Sequence, residues 1–173
     1  MERPQPDDLA REAAGRVTDP ELPMLTLVDL GVLRGIDLED DRTVVTITPT
    51  YLGCPAMDTM RADLLLALRA EGIDAEVRVQ LDPPWSSDDI TEEGRRKLAE
   101  HRIAPPGPRT GPVGLGLPGH REVPCPCCGA RQSVELSPFG SSACRAIRRC
   151  PECGETFDHF KDHRVVPGLR GTA

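Results

Sequence analysis

CPCCGARQSVELSPFGSSACRAIRRCPECG spans residues 125–154 and holds six of the chain's seven cysteines. Its ends, CPCCG at 125–129 and CPECG at 150–154, are one five-residue template used twice. In such a knuckle the two outer thiolates face one ion, and the glycine after the second cysteine lets the chain turn back with its N–H groups toward the sulfurs. The predicted ligands are Cys125, Cys128, Cys150 and Cys153, with 21 residues between the pairs, close to zinc-ribbon spacing. Cys127 then fills the variable slot that Glu152 fills in the second knuckle. A tail of about fifty residues with only Phe139, Phe157 and Phe160 as aromatics buries too little to fold alone, so the ion must supply folding energy.

Zinc is the default ion, and iron in a rubredoxin-like cage of four cysteines is the alternative, because the ligand set alone does not separate them. Outside the set, Cys127 reads as a buried or half-buried thiol of no special role. Cys144, among small polar neighbours in SPFGSSAC, reads either so or as an exchange ligand during metal transfer. His159 and His163 stand four apart, a spacing that puts two imidazoles on one helix face, but with four thiols at hand they read as surface residues. Arg145, Arg148 and Arg149 read as a solvated face.

Upstream, IAPPGPRTGPVGLGLPGH at 103–120 holds five Pro and five Gly in eighteen positions, which marks a linker. Before it, Leu9, Ala13 and Val17 recur at helical spacing, and Pro20 and Pro23 close that helix. Alternation at Val32, Ile36 and Leu38, a four-residue turn at Glu39–Arg42 and the run TVVTITPTY predict a hairpin. Met57, Met60, Leu64 and Leu68 form the buried stripe of a second helix opened by Pro55 and stopped by Gly72. Val77, Val79 and Leu81 alternate as a third strand, and SSDDITEEGRRKLAEHR reads as a short capped helix weakened by Gly94. Helix, strand, strand, helix, strand makes a small α+β layer.

The formal net charge of -7 is uneven: residues 1–119 carry 13 basic and 22 acidic side chains, residues 120–173 carry 8 and 6. With so few clustered cations and 3% aromatics, no nucleic-acid partner is expected. No apolar run approaches the roughly 18 residues of a membrane span, and the opening MERPQPDDLAREAAGR is too polar for a secretory signal. A cytoplasmic protein without a membrane partner is expected, and its clustered thiols there serve as metal ligands before disulfides. There is no Gly-rich phosphate loop, no HExxH and no nucleophile elbow, so the chain reads as a non-enzyme. Cys54 falls at the predicted tip of the second helix, where the dipole and open N–H groups favour thiolate and would make it reactive; on position alone it reads equally as a small apolar cap residue.

DPELPMLTLVDLGVL (19–33), TPTYLGCPAMDTM (48–60), LDPPWSSDDITEEGRRKLAEHRIAPP (81–106) and SPFGSSACRAIRRCPECGETFDHFK (137–161) together resemble the PaaD family, the D subunits of the phenylacetyl-CoA epoxidase system. The N-terminal half of that family belongs with SufT-type iron-sulfur assembly domains. The resemblance implies an accessory subunit of phenylacetate catabolism that assists insertion of iron or an iron-sulfur cluster into the oxygenase or its reductase. The family cysteine falls on Cys54, a transient iron or iron-sulfur ligand, and the acids of its first motif on Asp19, Glu21 and Asp29. One thiolate holds a cluster only with help, so the partners implied are the oxygenase and reductase subunits or a homodimer. Cys127 departs from the family pattern. A rubredoxin-like electron-transfer component of the same oxygenase is the alternative role. The boundaries expected are an assembly-like α+β domain at 1–102, the linker at 103–120, a four-cysteine ribbon at 121–164 and a flexible tail at 165–173.

Overall fold

The computed structural model describes residues 6–40, 42–107 and 122–163. Most of the expected linker and the expected 165–173 tail lie outside those residues. The chain divides into two compact units, Met1–Trp85 with Asp89–Lys97, and Ser86–Asp88 with Leu98–Ala173. Among the described residues no helix is long and apolar enough to cross a membrane.

In the first unit, helix α1 (Pro6–Gly15) buries Ala10, Ala13 and Ala14. Strands β1 (Leu33–Glu39) and β2 (Arg42–Ile47) pair antiparallel, and Glu39 faces Arg42. The hairpin turn is thus two residues, shorter than the four expected, with Asp40 at a left-handed φ of 45° that short Asp side chains tolerate. Helix α2 (Met57–Ala70) buries Met60, Leu64 and Leu68, while Met57 is half-buried. It carries the chain to β3 (Ala75–Val79), which lies parallel to β2. Val77 is buried as expected, but Val79 and Leu81 are exposed, at the end of β3 and just beyond it.

Helix α3 (Glu92–Glu100) is tied to the residues ahead of β1. The Thr91 N–H donates to the Asp29 carbonyl at 2.9 Å, and the Thr91 hydroxyl accepts from the Gly94 N–H at 3.0 Å, a side-chain cap. A Cβ at Gly94 would stand 2.6 Å from the Asp29 carbonyl oxygen. Gly94 therefore does not merely weaken the helix. It permits the close approach on which the Thr91 bond depends. Trp85, the chain's one tryptophan, is buried and donates its indole N–H to the Leu30 carbonyl at 2.8 Å.

The second unit is a four-stranded sheet of β4 (Ile103–Ala104), β5 (Val134–Ser137), β6 (Arg145–Arg149) and β7 (Thr156–Phe160), in the order β4-β7-β6-β5. β4 runs parallel to β7, so the expected linker begins with a strand: the sheet supplies hydrogen bonds that local composition does not predict. Ala104, Val123, Cys125, Cys150 and Phe157 form its core. The Ser87 N–H donates to the His163 carbonyl at 2.7 Å, which ties residues 86–88 into this unit.

The arginine run is not a solvated face. Arg145 and Arg148 are buried on opposite faces of β6, and only Arg149 is exposed. Arg145 donates to Ser142 at 2.9 Å and Asp158 at 3.1 Å; Arg148 donates to the Ser133 hydroxyl at 2.8 Å, its carbonyl at 2.7 Å and Glu135 at 3.2 Å. Such pairing makes a buried guanidinium tolerable. His159 is likewise no surface residue: it lies buried on a strand, and desolvation, then the charge of Arg148, lowers its pKa to about 4.

Candidate metal centre

The two knuckles repeat one hydrogen-bonding plan. The Cys125 N–H donates to the Ala130 carbonyl at 2.8 Å and the Gly129 N–H to the Cys125 carbonyl at 2.9 Å; in the second, Cys150 donates to Glu155 at 2.9 Å and Gly154 to Cys150 at 3.0 Å. Gly129 and Gly154 adopt φ of 77° and 80°, left-handed values that a side chain resists. The Cys127 N–H points at the Cys125 sulfur, 3.4 Å away.

This geometry gathers the sulfurs of Cys125, Cys128, Cys150 and Cys153 within 4.8 Å of one another. Cys125 and Cys153 stand 3.8 Å apart and Cys128 and Cys150 3.6 Å apart. A tetrahedral ion bound at about 2.3 Å to each sulfur sets an S···S edge of about 3.8 Å, so the residues fit a four-thiolate metal. Proton sharing among the thiols points the same way. Burial opposes ionisation of Cys125, but the N–H groups of Cys128 and Cys127 and the neighbouring thiols outweigh it and bring the group down to about 7. The Glu155 N–H favours a Cys153 thiolate, yet burial and the three other sulfurs push it up to about 12. Thiolates gathered this closely repel one another, and a cation between them offsets that repulsion.

Cys144 and Cys127 both lie outside the four-sulfur cluster. Cys144 is buried, its sulfur 3.0 Å from the Ser142 hydroxyl. Cys127 is exposed, where a buried or half-buried thiol was expected, because the knuckle turns its variable slot outward.

Cys54 sits apart in the first unit, half-buried. It is not at a helix tip: Ala56 is the N-cap and α2 starts at Met57. Burial raises its pKa, the Ala56 N–H and the Tyr51 hydroxyl oppose the rise, and the charges of Glu21 and Asp19 add to it. The expected thiolate is therefore corrected to a protonated thiol, since desolvation outweighs the donors. Asp19 and Glu21 are near enough to act on Cys54, whereas Asp29 serves elsewhere. The Asp29 carboxylate accepts from the Thr26 N–H and the Lys97 ammonium, both at 2.8 Å. Burial works to raise its pKa, but Lys97 and Thr26 prevail and lower it. Asp19 accepts from the N–H groups of Glu21 and Leu22 at 2.8 Å, an Asx turn that shapes the loop facing Cys54. Sequence reasoning missed Tyr51, whose one signal is being the chain's sole tyrosine, three residues before Cys54.

With fold and sulfurs in place, comparison with known proteins defines the class: an iron-sulfur assembly-type domain followed by a zinc ribbon. The family described as iron-sulfur cluster assembly protein matches residues 9–83, and that described as PaaD zinc beta ribbon domain matches residues 110–161. The chain is 38% identical over 149 residues to the D subunit of the Escherichia coli "Putative 1,2-phenylacetyl-CoA epoxidase", covering 84% of this chain and 87% of that one. The chain belongs to the PaaD family, the D subunits of phenylacetyl-CoA epoxidase.

It is also 34% identical over 89 residues to the Fe-S protein maturation auxiliary factor YitW of Bacillus subtilis, 50% of this chain and 86% of that one. Among solved structures, the domain of unknown function DUF59 from Bacillus anthracis is similar at 26% identity with a TM-score of 0.49, covering 54% of this chain and 91% of its own.

Proposed function

We propose that this chain is a non-catalytic accessory subunit of a phenylacetyl-CoA epoxidase system, assisting insertion of iron or an iron-sulfur cluster into the oxygenase or its reductase. The observation that carries the reading is the Cys54 loop: one thiol under the electrostatic influence of two carboxylates, Asp19 and Glu21, within the segment that matches the iron-sulfur assembly family. A cationic cargo displaces the Cys54 proton and offsets the carboxylates, so binding is coupled to proton release. A single thiolate with a few hard oxygens makes an incomplete site that gives up metal more readily than a four-thiolate cage. A client protein or a second copy of this chain completes the shell during transfer. The ribbon holds zinc permanently and keeps the second unit folded.

Cys54→Ser tests this reading. The variant is expected to keep its far-ultraviolet circular dichroism and one zinc per chain, while cells carrying it lose growth on phenylacetate and accumulate oxygenase and reductase depleted in iron and sulfide. Normal growth and fully loaded clients overturn the proposal. Iron in place of zinc in the ribbon, with visible absorption, favours the electron-transfer role instead.

A further inference from the structure

The ribbon sheet has two unequal faces. Cross-strand partners share a face, so register assigns every residue to one or the other. Ala104 pairs with His159 and His159 with Ala146; this row, with Arg148 and Phe157, is buried. The opposite face is mixed: Arg145, Phe160 and Ile103 are buried on it, whereas the row Val134, Arg149, Thr156 is exposed and Ile147 and Asp158 between them are half-buried. An open groove of about 470 Å³ runs over Ile147, Thr156 and Asp158 to Arg102.

Three observations say what this face receives. First, its charge is one-sided: Asp158 is engaged by Arg145, while no ion pair holds Arg102 or Arg149 among the described residues. Second, Arg102 is exposed just past the end of α3, in the left-handed conformation (φ of 59°) with which helices commonly stop, and it lines the groove. Third, Val134, 58% exposed, lies on the edge strand β5, and Ile147 lies one strand inward, which gives the cations an apolar floor.

We propose that this open face docks an extended acidic segment of a partner protein, its carboxylates meeting Arg102 and Arg149 and an apolar side chain resting on Val134 and Ile147. Nucleic acid fits less well, since two arginines beside a carboxylate are too few clustered cations for a phosphate backbone. A second copy meeting this face with its own sets the same two arginines, Arg102 and Arg149, against each other, and like charges placed together are unfavourable. A head-to-tail contact with the acidic first unit of another copy does not of itself close into a defined oligomer.

The test is amide chemical-shift mapping of the full, zinc-loaded chain titrated with a synthetic peptide of alternating Glu and Val, with a Lys-for-Glu peptide and a single-stranded oligonucleotide in parallel. The acidic peptide is expected to shift Val134, Ile147, Arg149 and Thr156 while leaving His159 in place, and the Lys peptide to shift none of them. Arg102→Glu with Arg149→Glu is expected to weaken binding by about tenfold or more. Should that pair fail to retain zinc, Thr156→Glu, at an exposed position of the same row, is expected to weaken binding in the same direction. No shift, shifts confined to the first unit, equal binding of the Lys peptide, tighter binding of the oligonucleotide, or concentration-dependent self-association that the acidic peptide does not displace each overturn the proposal.

Discussion

Gly94→Ala sets two physical effects against each other. Helix propensity favours alanine over glycine by about 1 kcal/mol in a helix interior. The geometry opposes it: a Cβ at this position lies 2.6 Å from the Asp29 carbonyl oxygen and 3.1 Å from Ile90 Cγ2. The first contact is with backbone, so α3 itself must withdraw. Withdrawal stretches the Thr91 N–H bond to the same carbonyl, now 2.9 Å, and the Lys97–Asp29 ion pair, now 2.8 Å. Overpacking of this kind costs about 1–3 kcal/mol and a lost hydrogen bond about 1 kcal/mol more. The net expectation is destabilisation of the first unit by about 1–3 kcal/mol, or a Tm lower by roughly 4–8 °C for each kcal/mol in a unit of this size. Trp85, buried in this unit and the chain's one tryptophan, reports the transition by fluorescence in urea or on heating. A variant as stable as the parent, or more so, refutes the close-approach argument and returns Gly94 to a plain propensity defect.

Other outcomes follow from single residues. Lys97→Met leaves the Asp29 carboxylate, 6% exposed, without its cation and is expected to cost about 2 kcal/mol in the same Trp85 assay. Asp29 has a lowered folded pKa, so the pair's contribution is present at neutral pH and is lost as pH falls below the ordinary 3.8, an acid sensitivity the variant lacks. In the zinc-loaded chain, chelation under reducing conditions is expected to remove on the order of 10 kcal/mol of folding energy from the second unit, so the amide dispersion of β6 and β7 collapses. His159, with a folded pKa near 4 against an ordinary 6.5, binds its proton more readily when unfolded. Its neutral burial therefore favours folding above about pH 6.5, and that advantage, about 3 kcal/mol, drains away as pH falls toward 4. In His159→Leu, thermal unfolding of the second unit should vary less with pH across that window than in the parent; an unchanged slope refutes the assignment.

What the sequence disclosed was whatever repeats or alternates. The doubled knuckle announced four ligands because its geometry is local, and the stripe of Met60, Leu64 and Leu68 announced α2 because one face of that helix is buried throughout. Residues whose surroundings come from far along the chain stayed hidden. Ile103 and Ala104 carry no periodicity of their own and become a strand only because β7 accepts them 55 positions later, at Asp158 and His159. The burial of Arg145 and Arg148 depends on Ser142 and Asp158, and on Ser133 and Glu135, partners set by strand register rather than by spacing along the chain. At Cys54 the error was of magnitude rather than kind: the N–H groups near α2 do favour thiolate, but desolvation, together with two carboxylates from far back in the chain, outweighs them.

The parallel pairing of β4 with β7 bears on how the protein responds to a protease. A cut anywhere between residues 107 and 122 severs the polypeptide but leaves Ile103 and Ala104 hydrogen-bonded to the strand beyond it, and Ser87 to His163. The nicked product should therefore elute from a sizing column as a single species and separate into two bands only after denaturation. Fragments that begin at the first knuckle, by contrast, start life with a bare sheet margin and should be the ones that precipitate.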